Sequence, residues 1–252
     1  MTGLEQVAVL AAGLGAGVLT STVGVASLLS FPVLVAVGLP PVVANASNTV
    51  GMTPAGLSGS FGYRRELREH PRVTAAVIAT CAIGSVGGAT LLLALPSGVF
   101  EAVVPWLILF TCLLVGASPR LSRWLRRHDE AGAQQRHLMS PVTTFFATMT
   151  GVYGGYFGAG SGVMMMAVLG LGTDLEFRIV NALKTLAVMA ANVVATLIFL
   201  VVADLDWAAV GLLAAGSVVG GYVGSRLGRV LPETLLRSLV VAAGIIAFVT
   251  ML

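Results

Sequence analysis

The 252-residue chain is 57% hydrophobic and only 10% charged, with a mean hydropathy of +0.95. Soluble domains carry about 25% charged residues, so this composition excludes both a water-soluble globular domain and a disordered chain. No series of short alternating segments suggests an outer-membrane barrel, which leaves a polytopic α-helical membrane protein.

From Gln6 to Tyr63 there is no Asp, Glu, Lys or Arg. The basic loop Arg64–Arg72 follows. Val73 to Leu95 is one span, Pro96-Ser97-Gly98 a turn, and Ala102 to Ala117 the next span. The stretch 118–139 is polar and carries five arginines. Residues 140–173 are again uncharged. Spans follow at 179–202, interrupted only by Lys184, at 207–225 and at 235–252. Trp124 and its arginine neighbours read as an interfacial stretch, and Trp106 and Trp207 as belt residues near span ends.

Arginine dominates loops 64–72, 118–139 and 226–237, which therefore face the cytoplasm. Glu5, Glu101, Asp204 and Asp206 stand in segments without Lys or Arg and face outside. Under this constraint, residues 6–38 enter and leave from outside, and 140–173 enter and leave from inside. Each stretch would be roughly 50 Å long as one helix, too long for one span and short for two. A hairpin of two half-length helices, its tip at bilayer depth, is the expected form, and it needs protein or a cavity around the tip. Both termini are then outside, in the cytoplasmic membrane.

The two halves match at a shift of 136 residues. Asn45-Ala46-Ser47-Asn48-Thr49 lies over Asn181-Ala182-Leu183-Lys184-Thr185, Gly15 over Gly151 and Gly24 over Gly160. The expected fold is all-α, with two inverted repeats, each a broken-helix hairpin plus three transmembrane helices. Residues 1–117 form the first repeat, 118–139 a basic cytoplasmic linker and 140–252 the second repeat. Inverted repeats with broken helices at matching places point to a secondary transporter.

These residues resemble the sulfite exporter TauE/SafE family, also called the 4-toluene sulfonate uptake permease family. The features are the glycine-rich first hairpin from Gly13 to Gly24 with Pro32 following, and Ala44 to Thr49 running on to Gly59. The second half repeats them in Gly151 to Gly155, Phe157 to Gly162 and Asn181 to Thr185. In one departure, the first-half glycine cluster is thinned to Val23-Gly24-Val25-Ala26-Ser27. The resemblance implies export or uptake of a small sulfur-containing or organic anion without nucleotide hydrolysis.

The candidate anion site lies between the two hairpin tips. Its members are Ser21, Thr22 and Gly24 from the first tip, Gly158, Gly160, Ser161 and Gly162 from the second, and Asn45, Asn48, Asn181 and Lys184 on the helices that follow. Helix N-termini at bilayer depth present N–H groups and a positive dipole end, and glycine lets an oxyanion approach them. Lys184 is the only lysine in the chain. A charge inside a span is costly, and the alternative to a binding role is snorkelling to the inner surface. Asn45 and Asn181 could donate to the anion or to freed backbone at the tips. Asn192 reads as glue between helices, Gly87-Gly88 and Gly220-Gly221 as helix packing, and Tyr153 and Tyr156 as cavity lining or packing. Bulk at Gly160 is expected to block substrate, and bulk at Gly221 to affect packing.

The remaining counts remove other functions. The three histidines sit in polar loops, so neither a metal site nor a histidine-activated serine is expected in the membrane, and the chain reads as no enzyme. No G-x-x-x-x-G-K-[ST] motif is present. No cofactor and no nucleic-acid partner is expected. The expected partners are a small anion, a coupling ion (proton or sodium) and the lipid bilayer, with a homo-oligomer left open. The competing readings are an anion channel and a membrane subunit that needs a separate partner.

Overall fold

In the computed structural model, residues 2–22, 25–130, 138–227 and 233–251 are described. All regular structure among them is helical. The first half contains α1 (Gly3–Thr22), α2 (Ser27–Ala36), α3 (Pro41–Gly62), the short α4 (Arg64–Glu69), α5 (Pro71–Ala94) and α6 (Ser97–Glu130). The second contains α7 (Pro141–Tyr156), α8 (Ser161–Gly172), α9 (Phe177–Val202), α10 (Trp207–Leu227) and α11 (Glu233–Met251). Segments 3–20, 71–94, 97–121 and 177–202 are each long and apolar enough to cross a membrane.

Both uncharged stretches break where the sequence requires a turn. α1 and α2 form the first hairpin, α7 and α8 the second. Their arms are unequal, 20 and 10 residues in the first and 16 and 12 in the second, rather than two equal halves. The longer first arms reflect their packing. α1 lies along α10 and α7 along α5, with backbones in contact through small residues at four-residue spacing. A Cβ at Gly17 would strike the Ser217 carbonyl oxygen, and one at Gly220 that of Leu14. At the other interface Gly88 meets the Val152 carbonyl and Gly155 that of Ser85. The expected packing role therefore belongs to Gly88 and Gly220. Their neighbours Gly87 and Gly221 have room, with the nearest atom 4.0 Å from an added Cβ in each case.

The packing pairs off between the halves. α1 on α10 has its counterpart in α7 on α5, α3 on α10 in α9 on α5, and α2 on α11 in α8 on α6. α3 crosses α9, and α6 packs on α11.

α6 departs from expectation. It does not end at Ala117 but runs on to Glu130 through the first part of the basic stretch. Leu121 lies partly buried against the core, so apolar packing carries the helix beyond Ala117. Residues 131–137 of the expected linker, and 228–232 of the last basic loop, lie outside the described residues.

The two ends of the bundle are distinct. At one end Arg178 pairs with Glu69 at 3.0 Å and with Glu66 at 3.7 Å, joining the start of α9 to α4. At the other, the Asp206 N–H donates to Ser47 Oγ at 3.0 Å, and Asp206 caps α10 through the Ala209 N–H at 2.8 Å. Large apolar side chains such as Trp106, Ile83, Val201, Trp207 and Val249 are exposed around the bundle, as a lipid-facing belt requires.

Candidate functional site

The second tip is the residues Phe157 to Gly160. Gly158 and Gly160 take φ of +82° and +77°, a left-handed conformation that a side chain would strain. α7 stops here because the chain turns left-handed, and α8 restarts at Ser161. The carbonyls of the turn are tied back into the protein. Ser161 Oγ donates to the Gly158 carbonyl at 2.8 Å. Tyr153 Oη and Thr111 Oγ1 approach the Ala159 carbonyl at 2.7 and 3.1 Å. The Gly160 carbonyl accepts from the Val163 and Met164 N–H groups. The N–H groups of Ala159, Gly160 and Gly162, by contrast, meet no acceptor among the described residues. The tip therefore shows donors at the positive end of α8, the arrangement that receives an anion. Phe157, buried, seats the tip by an edge contact to Phe31 of α2 at 5.4 Å.

A cavity of about 70 Å³ lies against this tip. Gly158, Ala159, Gly160 and Gly162 line it from the second hairpin; Thr20, Val25, Ala26 and Ser27 line it from the first. α9 contributes Lys184, Thr185, Val188, Met189 and Asn192, and α3 contributes Met52 and Gly56. These positions fall around the midpoints of both helices, so the cavity sits at mid-depth in the bundle. Lys184 is half-buried there.

Four of the sequence-selected residues thus meet at one cavity: Gly158, Gly160, Gly162 and Lys184. Ser161 is elsewhere, buried on the far side of α8 beside Cys81 and Thr150. Asn45 takes the backbone alternative. Its Nδ2 donates to the carbonyl of Tyr156, the last residue of α7, at 2.9 Å. Asn181 Nδ2 donates to Tyr63 Oη at 3.1 Å. Asn48 is buried against α2, where its Oδ1 accepts from Ser30 Oγ. Ser21 and Thr22 end α1 beside the cavity-lining Thr20, and Gly24 lies outside the described residues. Tyr153 braces the tip rather than lining the cavity.

Sequence reasoning missed Asn192, assigned to helix glue, and Thr185 and Thr20. A usable signal was present. Asn192 follows Lys184 by eight residues, with Val188 between, which places all three on one face of α9.

The chain matches the sulfite exporter TauE/SafE family over residues 9–251. It belongs to that family. A "Probable membrane transporter protein" from Haemophilus influenzae is 26% identical, over 95% of this chain and 91% of the relative. The "Probable membrane transporter protein ORF9" of a Sinorhizobium species is 27% identical, over 91% and 85%. The Escherichia coli K12 "Probable membrane transporter protein YfcA" is 25% identical, over 90% and 81%. No solved structure matches the chain significantly. As a TauE/SafE protein with apolar spanning helices, the chain is a multi-pass membrane protein of a transporter family.

Proposed function

We propose that this TauE/SafE protein is a secondary carrier for a small oxyanion, sulfite or an organosulfonate. It works by alternating access across the cytoplasmic membrane, without nucleotide hydrolysis or any other enzymatic step. The observation that carries the reading is the mid-depth cavity, which Ala159, Gly160 and Gly162, whose N–H groups meet no acceptor among the described residues, line together with Lys184. A helix N-terminus of about half a unit charge and one ammonium hold an anion without a full ion pair. The cavity has room for only a few heavy atoms, which favours a small oxyanion over a large organic acid.

The paired packing of the two halves supports the inverted-repeat reading, with 1–117 and 140–252 as repeats. The ion pairs of Arg178 with α4 bring loop 64–72 and the start of α9 to one end, as a cytoplasmic face for both requires. Both termini then lie outside. No Asp or Glu lies in the helices that line the cavity other than Glu5, near the start of α1. A coupling proton or sodium ion therefore has to act through the substrate or through neutral groups.

The test is flux in proteoliposomes against a panel of sulfite, sulfate, organosulfonates and carboxylates, with counterflow. Saturable uptake stimulated by the same anion trapped inside is expected for one class. Unsaturable, voltage-driven flux with no counterflow would mark a channel and overturn the reading.

A further inference from the structure

The two central helices line the cavity unequally. α9 shows a full row, Lys184, Thr185, Val188, Met189 and Asn192, whereas α3 shows only Met52 and Gly56. The 136-residue shift places Met52 over Val188, Gly56 over Asn192 and Asn48 over Lys184. The part of the α3 row withheld from the cavity therefore begins at Asn48, one helical turn before Met52 and about 6 Å along the axis.

That part is sealed. Residues 44–50 of α3, none of which lines the cavity, are all buried, and Asn48 is 1% exposed. The cover is the first hairpin, through Ser30 of α2. The Ser30 hydroxyl lies 2.5 Å from Asn48 Oδ1 and 3.3 Å from the Ala26 carbonyl, joining α2 to α3. Asn48 Nδ2 is left without an acceptor among the described residues. A buried amide donor without a partner is costly and calls for a reason. The packings of the first hairpin, α1 on α10, α2 on α3 and α2 on α11, have counterparts in α7 on α5, α8 on α9 and α8 on α6, so an exchange of the two arrangements preserves these packings.

We infer that the opposite-facing state exchanges the linings of α3 and α9, so that the Asn48 amide enters the cavity and donates to the bound anion. The inference rests on the carrier reading. In that state the first hairpin moves off α3, Asn48 and Thr49 join Met52 and Gly56, and α9 keeps only Val188 and Asn192 in the lining. Asn48 is idle in the arrangement observed because it serves the other one. The two states hold the same anion with different cations and donors: Lys184 on the side of the basic loops, Asn48 on the opposite side.

Two measurements test this. Asn48→Leu keeps the branched four-atom skeleton and removes the orphaned donor, leaving the Ser30 hydroxyl to the Ala26 carbonyl. Its thermal midpoint in detergent should hold or rise, while sulfite flux in proteoliposomes falls at least about tenfold, the scale of one lost hydrogen bond to a charged group. Flux at the wild-type rate would overturn the inference while the carrier reading stands. Absence of flux in the wild type would instead sink the carrier reading. The second measurement needs no transport. Asn48→Cys is exposed to a membrane-impermeant maleimide from each side, with the wild type, whose two cysteines are buried, as the blank. Labelling from the side opposite the basic loops, slowed by millimolar sulfite, is expected. No labelling from that side, or labelling that sulfite leaves unchanged, would overturn the inference even if Asn48→Leu misfolds.

Discussion

Gly160→Ala probes the tip directly, and its cost can be worked from the geometry. Gly160 sits at φ +77°, where a residue with a Cβ pays about 1–2 kcal/mol. The added Cβ would stand 2.7 Å from Thr111 Cγ2, so Thr111 must retreat by about 0.7 Å to restore ordinary contact. Overpacking of this kind costs about 1–3 kcal/mol. Thr111 cannot move without disturbing its bonds to Tyr153 Oη at 2.9 Å and to the Ala159 carbonyl at 3.1 Å. The expected loss is therefore about 2–5 kcal/mol, or a displaced tip with transport lost. Gly221→Ala is the contrast. Its Cβ would lie 4.0 Å from the Gly17 carbonyl oxygen, and in a helix interior alanine gains about 0.5–1 kcal/mol over glycine. Thermal unfolding of the two purified variants in detergent, followed by gel filtration, separates them. A Gly160→Ala protein as stable and as active as wild type would refute the left-handed, Thr111-braced tip.

Further outcomes follow from the same contacts. Lys184→Gln should leave the protein folded and weaken anion binding by about 1.5–3 kcal/mol, roughly 10- to 150-fold, in a substrate-titrated flux assay; unchanged affinity would assign Lys184 to snorkelling. Ser161→Ala should keep transport, because its hydroxyl is committed to the Gly158 carbonyl and faces away from the cavity; loss of binding with an intact fold would reverse that placement. Gly88→Leu should abolish folded protein in the membrane fraction, since its side chain would enter the Val152 backbone, and normal yield would contradict the α5–α7 packing. A C-terminal reporter active only in the cytoplasm should be silent; activity would mean that one of the hairpins spans fully.

The hairpins were readable because charge is expensive in lipid. Each uncharged stretch is too long for one span and breaks into two helices, and at the second break Gly158 and Gly160 supply the left-handed turn. The unequal arms were not readable, because the end of each first arm is set by backbone contact with a helix far away in sequence, as with Gly17 on Ser217 and Gly155 on Ser85. The extension of α6 to Glu130 was hidden because the run of arginines looks like a loop, and charge density says nothing of whether the backbone stays helical. Lys184 stood out by its cost. The amides did not sort themselves by type: Asn45, Asn48, Asn181 and Asn192 are alike in sequence, and only helix rotation decides that Asn192 faces the cavity while Asn45 bonds the Tyr156 carbonyl.

The most direct measurement is a structure of the protein in a bilayer mimic with a transported oxyanion bound. The anion is expected at mid-depth between the two tips, within hydrogen-bond reach of the Gly160 or Gly162 N–H and on the Lys184 side of the cavity. An anion on the basic stretch 118–139, or more than about 10 Å from both tips within the ~30 Å hydrocarbon core, would contradict it.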